Sequence, residues 1–450
     1  MWHQHESAGF QRSRRTVAAA ATALVLAGCS DLLAIRPDPQ TVNPRLNPPL
    51  LNETMNGVQA DFNFSYDIWL IGAGMFGNEV NSVSFLRWEM ANRIPSEAPG
   101  VSSGTGAASP NDRSQRANFP AFYSYLQTVL ATSANAQARV LAGDFPSIAN
   151  PPNSSQIARL AVIRGFALIW LADVWCDFVL DGQPTIYTSV QGWNLARVEF
   201  EQALSSTGAS AEDINAARAG LARVYRLLGN WPQADAFAAL VPPSFTYQTT
   251  YGALPQANQN RVWFHLWAFG EHTVSARWRN LTLDGTATPD SRVSIVAPPI
   301  SPSGTLDVLR APNKVPAVTS SLNVTSGAEA LLIRAEAALA AGQLQSAVDR
   351  INAVRTLRGV ALAWAPQALD ATVIRDKLID ERGRTLLLEG TRVGDLRFYL
   401  RTYRLDLWHT SIPQAAAMGT ATCHPVPLIE LLNIDGIAAY TYQGDKYAKP

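Results

Sequence analysis

Two stretches of this chain obey one spacing rule. Residues 222–234 (ARVYRLLGNWPQA) and 335–347 (AEAALAAGQLQSA) each set an Ala, six residues, a Gly, four residues and an Ala in register, and a second apolar helical pattern follows each. Small residues at that spacing let two antiparallel helices approach closely across a turn, so a chain carrying this frame twice is committed to packed helix pairs. Helical periodicity extends elsewhere. Residues 52–69 place Met55, Val58, Phe62, Ile68 and Trp69 on an apolar stripe, 121–141 read as a long helix, and 155–179 hold Ile157, Leu160, Ala161, Ile163, Leu168 and Leu171 behind a capping Ser154 or Ser155. The expected class is all-α dominated. With 47% hydrophobic residues over 450, the chain can bury a large core, and length alone would divide it into two or three domains.

The paired frame resembles the tetratricopeptide helix pair. Two regions lack helical periodicity and stand apart from it. Residues 71–118 mix Gly72, Gly74 and Gly77 with Asn78, Glu79, Asn81, Arg87 and Trp88 before a Gly, Ser and Pro rich run, and residues 241–321 are rich in Pro, Thr, Ser, Gly and aromatics. Irregular chain on a rigid scaffold is where binding faces are usually built. In the second region Trp263, His265 and Trp267 alternate as on one face of a short strand. The chain holds 12 Trp, 12 Tyr and 16 Phe, a rich set for a helical protein and one that asks for a use.

Several functions are disfavoured at once. Lys plus Arg equals Asp plus Glu at 36 each, so nothing in the charge balance points to nucleic acid. Gly72, Gly74 and Gly77 fit GxGxxG but follow a helical pattern rather than a strand, so no dinucleotide cofactor is expected. His265 and His272 have no Cys or carboxylate cluster to complete a metal site. Cys176 and Cys423 remain once Cys29 is assigned below; free buried thiols are the default for them, and their pairing is left open.

The first residues give an address. Arg12, Arg14 and Arg15 form a basic n-region, residues 16–27 a short apolar h-region, and Leu26-Ala27-Gly28-Cys29 closes it in the form of a bacterial lipoprotein signal. The h-region is too short to span a bilayer comfortably, so residues 1–28 are expected to be removed, leaving Cys29 as the acylated N-terminus. Pro37, Pro39, Pro44, Pro48 and Pro49 make residues 29–50 an extended tether.

In a chain with 16% charged residues, 380–401 (DERGRTLLLEGTRVGDLRFYLR) is unusually dense in charge. Glu381 and Arg384, Glu389 and Arg392, and Arg392 and Asp395 are each spaced to share a helix face, with Gly390 and Gly394 marking a break between two short helices. Each carboxylate has an arginine partner and apolar neighbours, which favours a structural ion-pair network over an acid and base pair.

Glu381, Arg382, Glu389, Gly390, Arg392, Asp395, Leu396 and Arg397 resemble the C-terminal signature of the SusD/RagB family of nutrient-binding outer-membrane lipoproteins. Leu388 stands where that family often has an aromatic residue. Residues 328–359, the Ser30-Asp31-Leu32-Leu33 opening after Cys29, and His424 to Glu430 (HPVPLIE) are similar to the same family. The resemblance implies one SusD-like domain over 51–450, with tetratricopeptide-like pairs at about 155–240 and 326–400 as scaffold. It also implies a lipid-anchored outer-membrane protein, facing the cell exterior, that captures an oligosaccharide or other nutrient without chemical reaction. A SusC-like TonB-dependent transporter would be the partner, with this chain as its lid. Sugars stack C–H faces on aromatic planes and hydrogen-bond to Asn, Arg and Asp, so the candidate ligand residues are Asn81, Arg87 and Trp88 in the first irregular region and Tyr251, Trp263 and Trp278 in the second. The competing readings are a peptide-binding helical-repeat scaffold and a glycoside hydrolase, which would need two facing carboxylates.

Overall fold

The computed structural model describes residues 50–82, 118–180, 184–268, 270, 272–296, 311–408, 419–427, 430 and 444–447. All of these but Leu50 lie in one compact unit, Leu51–Pro450. The candidates Cys29, Arg87 and Trp88 fall outside the described residues.

Ten helices carry the described fold. They are α1 (Leu50–Phe76), α2 (Asn118–Leu141), α3 (Ser155–Val174), α4 (Ser189–Ser205), α5 (Ala211–Leu228), α6 (Trp231–Ala239), α7 (Gly327–Ala340), α8 (Leu344–Leu357), α9 (Ala371–Thr385) and α10 (Arg392–Tyr403). Their starts follow local chemistry. Ser154 accepts the amide of Ile157, Ser210 that of Asp213, Asn230 that of Gln233, and Thr188 with Gln191 closes a capping box. The repeated frame makes two helix pairs, α5 with α6 and α7 with α8, and α6 packs on α7 to join them. Gly229 and Gly342, the central residues of that frame, take left-handed φ values of 79° and 71°, which is why each turn needs glycine.

α3 is the hub. Sixteen of its 20 residues are buried, so it reads as apolar on all sides rather than on one stripe. Trp170 stacks on Tyr66 and Phe62 of α1 at centroid distances of 4.5 and 5.0 Å, while Phe200 of α4 sits between Gly165 of α3 and Gly220 of α5. The tryptophans find their use here. Of the ten described, six are buried and four half-buried, so none stands fully exposed.

Four two-stranded antiparallel ribbons edge the helices. β1 (Val80–Ser82) pairs with β5 (His272–Val274), β2 (Asp177–Val179) with β3 (Ile186–Thr188), β4 (Thr246–Thr249) with β8 (Leu322–Ser326), and β6 (Ile295–Val296) with β7 (Ala311–Pro312). α1 continues through Gly72 and Gly74 before β1, so the first irregular region begins later than the glycines indicate. Trp263, His265 and Trp267 are not on a strand. Residues Arg261–Trp263 form a helical turn capped by Asn260, continued by a wider helical turn over Phe264–Ala268. Cys176 and Cys423 form a disulfide across 247 residues, against the default of free thiols; tertiary folding brings their Cα atoms to 5.1 Å. Among the described residues no helix is long and apolar enough to cross a membrane.

The dense charges of 380–401 do pair, some within α9 and most with other elements, though not in the three pairs the spacing suggested. Glu381 meets Arg292, Arg355 and Lys377; Arg384 meets Asp380 and Asp290; Glu389 meets Lys314 and Arg358. Asp395 accepts from Arg226 of α5 at 2.7 Å and Arg382 of α9 at 2.9 Å, and Glu336 of α7 completes that buried square. Arg392 faces Trp278 instead, its guanidinium carbon 5.4 Å from the ring centre. The spacing argument fails between 389 and 392 because Leu388 and Gly390 take positive φ, turning the chain so that the two residues share no helix. Gly394 lies inside α10 rather than at a break; a Cβ there would meet the Asp173 carboxylate at 2.9 Å.

Candidate ligand-binding site

A polar stripe runs along the first half of α1. Asn56, Gln59, Asn63 and Asp67 recur three and four residues apart, so they share one face of the helix. The segment after β4 lies against that face, carrying Thr250, Tyr251 and Asn258, and the two enclose a cleft of about 270 Å³ with Phe64 on its wall. Hydrogen bonds hold the geometry. Asn63 donates to the carbonyl of Thr250 at 3.0 Å, the Tyr251 hydroxyl donates to the carbonyl of Asn63 at 3.1 Å, and Gln59 donates to Asn63 Oδ1 at 2.9 Å.

Asp67 is the unusual member. It is fully buried, its Oδ2 accepts the amide of Arg261 at 2.7 Å, and its Oδ1 has no hydrogen-bond partner. Burial pushes its carboxyl well above the usual range, with the Arg261 amide opposing. An unmatched buried oxygen is costly unless something outside the protein meets it. The Arg261 guanidinium lies 5.8 Å from the Phe64 ring centre and 5.6 Å from that of Phe264, so the cleft edge combines a cation with aromatic planes. A larger hollow of about 460 Å³ lies between α1 and α2, but no aromatic ring lines it, and its Arg139 is held by Thr54 and Asp144.

Among the aromatic candidates, Tyr251 lines the cleft. Trp263 is half-buried, three residues beyond the Asn260 that caps its turn. Trp278 is a core residue: it is 2% exposed, its indole N–H donates to the carbonyl of Asn78 at 2.8 Å, and its ring packs on Gly383 and Arg392. Asn81 is buried in β1 opposite Thr273, with Oδ1 unpaired. Trp278 and Asn81 therefore sit beyond the far end of α1. Asn56 and Phe76 alone are 20 residues apart in that helix, about 30 Å at ~1.5 Å per residue. Asn56, Gln59, Asn63, Asp67 and Asn258 escaped the sequence reading, although the α1 polar stripe was a visible signal.

Packed helix pairs, a buried hub helix and short antiparallel ribbons make this a mostly helical scaffold protein. The SusD family model matches residues 327–426, which span α7 to α10 and the Cys423 region. A SusD homolog from Bacteroides thetaiotaomicron superposes with a TM-score of 0.62 at 14% identity, covering 88% of this chain and 97% of that one. A SusD superfamily protein from Bacteroides fragilis gives 0.61 at 13%, covering 87% and 99%. A SusD-like carbohydrate binding protein from Bacteroides vulgatus gives 0.54 at 15%, covering 78% and 83%. No curated protein matches the sequence. Residues 327–426 thus carry a SusD family match, and the chain has the SusD-like fold.

Proposed function

We propose that this chain is a surface lipoprotein, anchored through Cys29 to the outer membrane, that captures a nutrient glycan without reaction and passes it to a SusC-like TonB-dependent transporter. The observation that carries this reading is the α1 cleft: amides of Asn56, Gln59 and Asn258 stand beside Tyr251 and Phe64 over an unpartnered Asp67 oxygen. Sugars offer both hydroxyls for the polar groups and C–H faces for the rings. The carbohydrate-binding description of the Bacteroides vulgatus relative agrees with it.

Calorimetric titration with a panel of neutral oligosaccharides and short peptides tests the proposal. One glycan class is expected to bind saturably, and Asn56→Ala and Asp67→Asn are each expected to weaken it about fivefold to tenfold, the worth of roughly one hydrogen bond. Binding of peptides with silence across the glycans would instead favour the helical-repeat scaffold. Product appearing in the glycan mixtures would refute capture without reaction.

A further inference from the structure

A third cavity, of about 240 Å³, opens where the ends of α8 and α9 meet the chain around β6 and β7. Its described wall is Ser291, Arg292, Asn313, Lys314, Arg358 and Thr385. Each of these side chains can donate a hydrogen bond, and none is a carboxylate.

The surrounding ion pairs divide into two groups with different balances. Arg292, Arg355, Lys377 and Arg384 meet Asp284, Asp290, Asp380 and Glu381, four cations against four anions. Among the described residues Lys314 and Arg358 meet Glu389 alone, at 3.3 and 3.4 Å, so two cations share one carboxylate. Arg358 Nε is buried with no hydrogen-bond partner, and its Nη2 makes only long contacts, the other being to Ser326 Oγ at 3.4 Å. Lys314 is fixed by the carbonyls of Thr385 and Leu387, both at 2.9 Å. Burial pulls the Lys314 ammonium below its ordinary pKa, with Glu389 opposing and the neighbouring Arg358 adding to the fall. Glu79 and Arg392 lie nearby but do not remove the excess: burial raises the Glu79 carboxyl to about 7, and Arg392 adds a further cation.

We propose that this cavity binds a single oxyanion carried on a sugar, a carboxylate or a sulfate ester, between Lys314 and Arg358. One negative charge balances the excess, and the oxygens match a wall made of donors. The volume is below the roughly 300–1,000 Å³ of drug-sized sites, which suits one acidic residue rather than a chain. The proposal takes from the glycan reading only that the anion rides on a sugar, and it concerns a different cavity.

The test uses the full-length chain titrated at constant ionic strength with galacturonate, galactose 6-sulfate, galactose, acetate and inorganic sulfate. The two sugar acids are expected to bind at least about tenfold more tightly than galactose, because a charge-assisted bond to a cation is stronger than a neutral one. Arg358→Gln is expected to erase that gap. Asn313→Asp, an exposed wall position, is expected to erase it by repulsion without touching the packing. Asn56→Ala in the α1 cleft is expected to leave galacturonate and galactose 6-sulfate binding unchanged while weakening the neutral oligosaccharide, which separates this site from the neutral-glycan reading. Equal binding of galactose and galacturonate, or a gap that survives both cavity variants with melting unchanged, would overturn the proposal. Acetate or free sulfate binding as tightly as the sugar acids would overturn its sugar-borne form.

Discussion

Gly220→Ala should destabilise the fold, although the same change in an open helix stabilises one. Gly220 lies in α5, and a Cβ there would stand 2.3, 2.5 and 2.6 Å from three ring atoms of Phe200. The ring has no retreat, because a Cβ on Gly165 across from it would already meet the same ring at 2.6 Å. Helix propensity favours Ala over Gly by about 1 kcal/mol, and overpacking of a filled core opposes with about 1–3 kcal/mol. With three contacts this close the steric effect belongs at the upper end, so the net loss is roughly 1–2 kcal/mol. Gly57→Ala provides the control. It is exposed in α1 with nothing within 4 Å of the new Cβ, so it should gain about 0.4–1 kcal/mol. Urea denaturation followed by circular dichroism reads both signs. In a Phe200→Leu background the Gly220→Ala penalty should shrink by more than half, since the smaller side chain vacates the contested space. A Gly220→Ala midpoint at or above wild type, or an undiminished penalty beside Leu at 200, would refute the reasoning.

Two further outcomes follow from the buried charges. Burial raises the Asp173 carboxyl to about 7 although Trp193 donates to it at 2.9 Å, so the native state holds a proton that the unfolded chain releases near pH 4. Stability from this group is full below pH 4 and falls as pH rises to 7, by on the order of 4 kcal/mol; Asp173→Asn should flatten that part of a pH series of denaturation curves, and an unchanged slope would refute the assignment. Arg226→Met takes from Glu336 its nearest cation and leaves Asp395 with Arg382, and removing one partner of such a network should lower unfolding free energy by about 3 kcal/mol; a loss under ~1 kcal/mol by urea titration would show that the square contributes little.

What the sequence determined was local. The Ala, Gly and Ala frame dictated the turns at Gly229 and Gly342, because only the chain's own neighbours decide whether a residue can adopt positive φ at a helix end. The cap at Ser154 and the start of the helix expected over 155–179 were legible for the same reason, although the helix ends at Val174 and is apolar on all sides. Tertiary structure decided everything that depends on which helix lies beside which. Residue spacing placed Arg392 next to Asp395, yet Arg226 and Arg382 arrive from α5 and α9 to take that carboxylate, and Arg392 turns to Trp278. Aromatic counts could not tell Trp278, sealed in the core, from Tyr251 at the cleft. Nor could they show that Cys176 would reach Cys423, or that the polar stripe of α1 would face Tyr251 and Asn258 from a segment nearly 200 residues later. Burial and long-range pairing are properties of the assembled core, where each side chain's surroundings come from distant parts of the chain.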